Sequence, residues 1–389
     1  MLPKILIFHT LRWPNAARLA IAFRQVGCRV DGLCLPDYPL DKLAAVGRAY
    51  VYRPLVPLHS IRAAFESAIP DLIIPCDEGA VAQLLRSHRQ PGSAAGAQRL
   101  RAVIERSLGG IEGYERIATR SNLPAIAAEA GVRTPQTRLV ATIVELREAL
   151  IEMGFPAVLK ADYSWSGDGV HIVHDLHEAE RAFGRMTGSR PRLSAVKRLL
   201  RDRDLELLLQ RFRAQQPALT LQRFIAGREA NAAIACWQGE IVASLCAEVV
   251  VARSSSRNAS VLRIVDNPEM LETARLVVRL AGVTGFCGLD FIVEAGSDLP
   301  LLIEINPRAT QINHLALGPG RDLVAALCAR AAGEPVPDRP AITECDTIAL
   351  FPHEWHRDPQ SPHLRSAYHD VPWEEPEFVR INADAPRAP

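Results

Sequence analysis

Short apolar runs alternate with helical spacings through the first hundred residues. Lys4 to Phe8, Arg29 to Leu35 and Asp71 to Pro75 are mainly apolar and of strand length, while Ala16 to Val26 and Ile61 to Ala68 repeat apolar positions at helical spacing. This order predicts an α/β layer with a parallel sheet. Gln90 to Gly96, rich in Gly, Ala, Ser and Pro, reads as a connection before a helical Gln98 to Leu108, so a boundary falls near residue 110. From Thr134 the pattern becomes strand, helix, strand, loop, strand, helix. Thr142 with Glu145, and Asp175 with Glu178, match N-cap boxes opening helical runs, with strands at Phe155 to Ala161 and Val170 to His174.

Farther on, two strands carry polar residues against their own period. In Phe286 to Glu294 the apolar Cys287, Leu289, Phe291 and Val293 share one face, leaving Asp290 on the other with Phe286, Gly288 and Ile292. In Leu301 to Asn306 the expected apolar face is Leu301, Ile303 and Ile305, with Glu304 and Asn306 opposite. If Ala295 to Leu299 is the hairpin loop, Asp290 stands directly across from Glu304. Opposed like charges are unfavourable without a cation, and two carboxylates with an amide are hard oxygen donors that suit Mg²⁺.

Charge and composition narrow the function classes. Of 389 residues, 48% are hydrophobic and 23% charged, and 45 basic against 44 acidic residues leave a net +1, so neither nucleic acid nor an anionic membrane is an expected partner. No apolar run approaches spanning length; Glu248 and Arg253 interrupt the most apolar one. The first ten residues read as a strand and not a signal peptide, which points to the cytoplasm. Eight cysteines without a C-x-x-C pair fit buried, reduced thiols. The turn His9 to Asn15 has no G-x-G-x-x-G, so no dinucleotide site is expected. Arg190 to Arg213 carries a local net charge of +5 interleaved with leucines, and reads as a basic helical insertion.

Lys160 ends an apolar strand and precedes Ser164-Trp165-Ser166-Gly167-Asp168-Gly169, where small residues let backbone N–H groups approach phosphate oxygens beside a point charge. Together with Asp290 and Leu302-Ile303-Glu304-Ile305-Asn306-Pro307-Arg308, this resembles the ATP-grasp superfamily from about residue 1 to 335. The resemblance implies an ATP-grasp fold, mixed α/β and α+β, behind an N-terminal Rossmann-like domain. It implies that Arg120, Lys160, Ser164, Ser166, Gly167 and Gly169 hold ATP phosphates. Gln222-Arg223-Phe224-Ile225-Ala226-Gly227-Arg228-Glu229 is similar to the adenine and ribose segment, so Gln222, Arg223, Ile225 and Glu229 join the nucleotide contacts. Asp290, Glu304 and Asn306 are implied as ligands of Mg²⁺, for which Mn²⁺ could substitute, and Arg308 and Lys160 as the catalytic pair.

The domains expected are 1–115 as the N-terminal α/β unit, 116–132 as a connecting helix, 133–218 as a lid with the insertion at 190–213, 219–335 as the core with the metal site, and 336–389 as a C-terminal segment whose tail, Glu344 to Pro389, covers the substrate or joins a homodimer. The reaction implied is phosphorylation of a small carboxylate by ATP, then attack of an amine on the acyl phosphate. Two alternatives stand beside it: a carboxylase or carbamoyl-phosphate-synthetase-like enzyme using bicarbonate, and a non-catalytic nucleotide-binding regulatory module.

Overall fold

Strands that are apolar on both faces need helices on both sides, and the N-terminal runs obtain them. β1 (Lys4–Phe8), β2 (Arg29–Cys34), β3 (Ala49–Val51) and β4 (Leu72–Pro75) form a parallel sheet of order β3-β2-β1-β4. A computed structural model describes residues 1–36, 39–90, 95–161, 169–187, 218–253 and 258–384. Ile5 and Ile7 pack with the helix Asn15–Gln25, and Leu6 and Phe8 pack on the other face with Ile61 and Leu84. The edge strand β3, three residues long and mostly half-exposed, has no pattern to read. Helix Glu78–His88 follows β4 directly, and the next helix begins at Ala95.

The second sheet is antiparallel, with order β5-β8-β6-β7 from β5 (Thr137–Val140), β6 (Ala157–Ala161), β7 (Val170–Val173) and β8 (Leu219–Arg223). Helices Ile143–Met153 and Leu176–Thr187 cover one face, burying Leu146, Leu150 and Phe183 against Leu159 and Leu221. The Thr142 hydroxyl accepts from Glu145 N, and Glu145 returns the bond to Thr142 N, both at 3.2 Å. At the second start Asp175 accepts from Glu178 N at 2.8 Å, but Glu178 reaches His174 N, one residue earlier than a box requires. The loop 162–168 and the basic stretch Arg190 to Arg213 lie outside the described residues.

The third sheet runs β13-β12-β9-β10-β11-β14-β15, from β9 (Gly227–Trp237), β10 (Glu240–Ala252), β11 (Ala259–Val265), β12 (Gly285–Glu294), β13 (Pro300–Asn306), β14 (Thr347–Leu350) and β15 (Tyr368–Asp370). All its pairings are antiparallel except β14 with β15. Cys287, Leu289, Phe291 and Val293 pack with Ala232 and Ile234 against the helix Pro268–Ala281. On the opposite face Ala233, Ala235 and Phe286 pack toward the helix Leu323–Ala332, and that face turns polar farther along the strands. The C-terminal segment is built into this layer: β14 and β15 form the sheet edge opposite β13, and Arg18 binds Asp370 in the interior. Among the described residues no helix is long and apolar enough to cross a membrane. All eight cysteines are free, and seven of them are buried.

Candidate active site

The β12–β13 ladder places Asp290 opposite Glu304 and Gly288 opposite Asn306. The route to that register differs from the simple hairpin. Val293 pairs with Pro300, leaving six intervening residues instead of five, and a bulge between Leu302 and Glu304 restores the phase. The expected apolar face of β13 is therefore corrected: Leu302 and Ile305 enter the core, while Leu301 and Ile303 are half-exposed. Asn306 donates to the Asp290 carboxylate at 2.8 Å, and Glu304 accepts from Arg120 at 2.6 Å. Gly288 must lack a side chain here, because a Cβ would stand 2.4 Å from Thr310 Cγ2 of the loop that folds back after β13.

β9 continues the polar row on the other side of β12. Asn231 pairs with Asp290 and Glu229 with Ile292, so both lie on the Asp290 face. Asn231 has no motif of its own in the sequence, and only the register brings it there.

Arg308 leaves β13 toward the N-terminal sheet. Its guanidinium donates to Glu78 at 2.5 Å, to Asn306 Oδ1 at 3.2 Å and to the Ala309 carbonyl at 3.0 Å, and lies 5.4 Å from the centre of the Trp13 ring. Asp77 sets this neighbourhood. Its buried carboxylate accepts from Thr10 N, Thr10 Oγ1, Leu11 N and Ala80 N, tying the loop that carries Trp13 to the helix that starts with Glu78. An Asp two residues past the apolar strand Leu72–Pro75, followed by Glu78, Gly79 and Ala80, is the N-cap signal that could have found it. Buried Tyr114 donates its hydroxyl to the Pro307 carbonyl, between Asn306 and Arg308.

The second sheet brings Lys160 over the same patch. Lys160 Nζ donates to the Ile303 carbonyl at 3.3 Å. Strand register puts Val158, Lys160, Thr220 and Gln222 on the face away from the covering helices. Gln222 is buried there and donates to Thr137 Oγ1 at 3.1 Å. Arg223 falls on the opposite face and is exposed, so its side chain does not join the cluster; adjacent strand residues point apart. Ile225 is half-buried in the turn into β9, and Glu229 is exposed. The Gly169 carbonyl accepts from Ala161 N at 2.9 Å, closing the base of the loop after Lys160. Ser164, Ser166 and Gly167 lie outside the described residues.

Burial and charge set the protonation of this cluster. Burial pushes Asp290 up, and the carboxylate of Glu304 across the ladder adds to the effect. Burial would also raise Glu304, but Arg120 and Lys160 outweigh it and hold that carboxyl below its ordinary range. Lys160 is lowered to about 8, chiefly by burial, with Glu304 opposing the shift.

Comparison with known proteins bears on this arrangement. The family model for the ATP-grasp domain matches residues 203–311, which include β12, β13 and Arg308. The chain is 23% identical over 208 residues to the large chain of carbamoyl phosphate synthase from Mycobacterium tuberculosis, covering 53% of this chain and 17% of that one. It is 31% identical over 77 residues to alanine–anticapsin ligase of Bacillus subtilis, covering 20% and 16%. Among solved structures, N5-carboxyaminoimidazole ribonucleotide synthetase in complex with ADP aligns with a TM-score of 0.60 at 14% identity, over 88% of this chain and 80% of that one. Residues 203–311 thus match an ATP-grasp domain, and the chain has the fold of this neighbour over most of its length. It spans less than a fifth of the length of these curated relatives. The biotin carboxylase domain of Hydrogenobacter thermophilus 2-oxoglutarate carboxylase, solved with MgADP and bicarbonate, shares this ATP-grasp fold at a TM-score of 0.61 and 16% identity, over 87% and 72% of the two chains.

The ATP-grasp patch fits a hard divalent cation. Among the described residues no third Asp, Glu, His or Cys joins Asp290 and Glu304, and the remaining donor is the amide of Asn306. Mg²⁺ commonly takes one or two carboxylates and fills its shell with water and phosphate oxygens. A cation between Asp290 and Glu304 would also relieve the like-charge opposition that raises Asp290.

Proposed function

We propose that the chain is an ADP-forming carboxylate–amine ligase, which phosphorylates a carboxylate with ATP and joins the acyl group to an amine. The observation that carries this reading is the convergence of three cations from separate parts of the chain, Arg120, Lys160 and Arg308, around the opposed carboxylates of β12 and β13. In this reading Asp290, Glu304 and Asn306 hold Mg²⁺, which when bound with ATP supplies positive charge against the transferring phosphoryl group. Lys160 and Arg120 bind phosphate oxygens, a role proposed also for Ser164, Ser166, Gly167 and Gly169. Gln222 and Ile225 border the adenine, and Glu229, on the Asp290 face, reaches the ribose. Arg308, fixed by Glu78 and Trp13, orients the reacting carboxylate. The domain limits at residues 115, 132, 218 and 335 belong to the same proposal.

The test follows an oxygen atom. With Mg²⁺-ATP, hydroxylamine as amine and a panel of carboxylic acids bearing heavy oxygen, the released phosphate should gain one labelled oxygen per turnover, because nitrogen attacks the acyl carbon, the C–O bond breaks and the departing phosphate keeps the bridging oxygen. Label confined to the product, or carried into AMP, would overturn the acyl-phosphate route. ADP release independent of any second substrate would overturn the ligase reading itself.

Lys160 gives this reading a pH signature. Its charged form binds phosphate, and about 8 is the pH at which the buried amine loses its proton. ATP affinity should be flat below pH 8 and weaken above it, by at most about tenfold per pH unit. Lys160→Arg should remove the fall, since a guanidinium stays charged throughout. Calorimetric titration with ATP from pH 6.5 to 9.5 measures both, and an equally steep fall in the Arg variant would take the effect away from residue 160.

A further inference from the structure

Arg120, Glu304 and Arg308 border a cavity of about 480 Å³ that continues beyond them, between the helices Glu78–His88 and Ile111–Ala118. Among the described residues lining it, none comes from the second sheet or from the nucleotide segment 222–229. Its long wall is a single stripe. Glu78, Val81, Ala82, Leu85 and Arg89 recur at intervals of three and four, the spacing of one helix face. Eleven steps of the helical rise separate Glu78 from Arg89 and make the stripe about 16 Å long.

The chemistry changes along that length. At the inner end Glu78 holds Arg308 at 2.5 Å, beside Asn306. At the outer end Arg89 pairs with Glu115 from the second helix. Between them this helix face is apolar, with Ala82 exposed beside the largely buried Val81 and Leu85, while the facing side adds Ala118 but is otherwise polar, with Glu112, Arg116 and Thr119. A small polar acid such as bicarbonate or formate could use only the inner end. An apolar wall of this length gains binding energy only from a ligand with apolar surface to bury.

We infer that this recess is the specificity pocket of the proposed ligase, and that the acid it takes has an aliphatic or aromatic body of several carbons. The carboxylate lies at Arg308 and the body lies along Val81, Ala82 and Leu85, while the outer end stays open to a polar group near Arg89 and Glu115. This inference rests on the ligase reading and narrows its substrate class.

The test uses the full chain with Mg²⁺-ATP and hydroxylamine, whose nitrogen displaces phosphate from the acyl phosphate to give a hydroxamate and hydrogen phosphate, which carries away the proton that the nitrogen loses. The probes are bicarbonate, acetate, 4-methylpentanoate and 3-phenylpropanoate. The two larger acids should exceed acetate in kcat/KM by at least tenfold, since even one methylene in an apolar pocket is commonly worth about that factor. Ala82→Trp, which fills the recess from one wall, should cut the ratio of 3-phenylpropanoate to acetate at least tenfold, and the gentler Ala118→Leu should lower it from the other wall. Nucleotide affinity, measured separately, confirms that each variant is folded. Bicarbonate or acetate matching the larger acids, or a ratio unmoved in both variants, would overturn the recess assignment and leave the ligase reading standing. Nucleotide binding without hydroxamate from any acid would overturn both.

Discussion

Glu304→Gln is expected to lower acid-dependent ADP release by about 10³-fold, the scale of removing several kcal/mol of transition-state charge stabilisation. Glu304 lies where three demands meet. It faces Asp290 across the ladder, it accepts from Arg120 at 2.6 Å, and its charge is sustained by Arg120 and Lys160 against burial. The amide keeps the shape and one oxygen that can still accept from Arg120, so the hairpin should persist. What the amide loses is one of two negative charges on a divalent cation. Raising Mg²⁺ should therefore recover part of the loss in the variant more than in the unsubstituted protein. Turnover within tenfold of the unsubstituted protein at equal Mg²⁺ would remove Glu304 from the site.

Arg308→Lys should reduce kcat by about 10²- to 10³-fold while ATP affinity changes by less than about threefold. Charge is conserved in this exchange, so the loss reports geometry. The guanidinium is held by Glu78, Asn306 and the Ala309 carbonyl and lies over Trp13, which fixes its orientation. An ammonium on a flexible stem has no planar fork with which to hold those partners in this arrangement. Steady-state kinetics with the best acid of the hydroxamate panel, together with calorimetry of ATP binding, would separate the two parameters. An equal loss in both would make Arg308 a nucleotide ligand and not an orienting group.

Features that depend on near neighbours in the chain were legible from the residues alone. The period-two pattern through Phe286 to Glu294 names the buried face correctly, because every second side chain of a strand points the same way. Thr142 with Glu145 and Asp175 with Glu178 mark their helix starts, since a cap bond spans only three residues. The Glu-Ile-Asn-Pro-Arg run, with Asp290 before it, carries the strongest part of the ATP-grasp likeness, and the family model covers it.

Other features depend on partners that the chain brings from far away. The bulge at Ile303, which sends Leu302 instead of Leu301 and Ile303 into the core, answers to packing across three strands, and no alternation within Leu301 to Asn306 encodes it. Gln222 and Arg223 read alike as members of one segment, yet the register of β8 against β6 turns one toward Lys160 and the other away. The bonds from Arg120 to Glu304 and from Arg308 to Glu78 span 184 and 230 residues. Asn231, Asp77 and the helical stripe from Glu78 to Arg89 acquire a place near the patch only when the first and third layers meet. Sequence by itself therefore determined the elements and the donor types, which local backbone geometry and side-chain chemistry dictate. Which charges meet, and what shape of cavity they border, was decided by tertiary packing, because Coulomb and hydrogen-bond partners are chosen by distance in space and not along the chain.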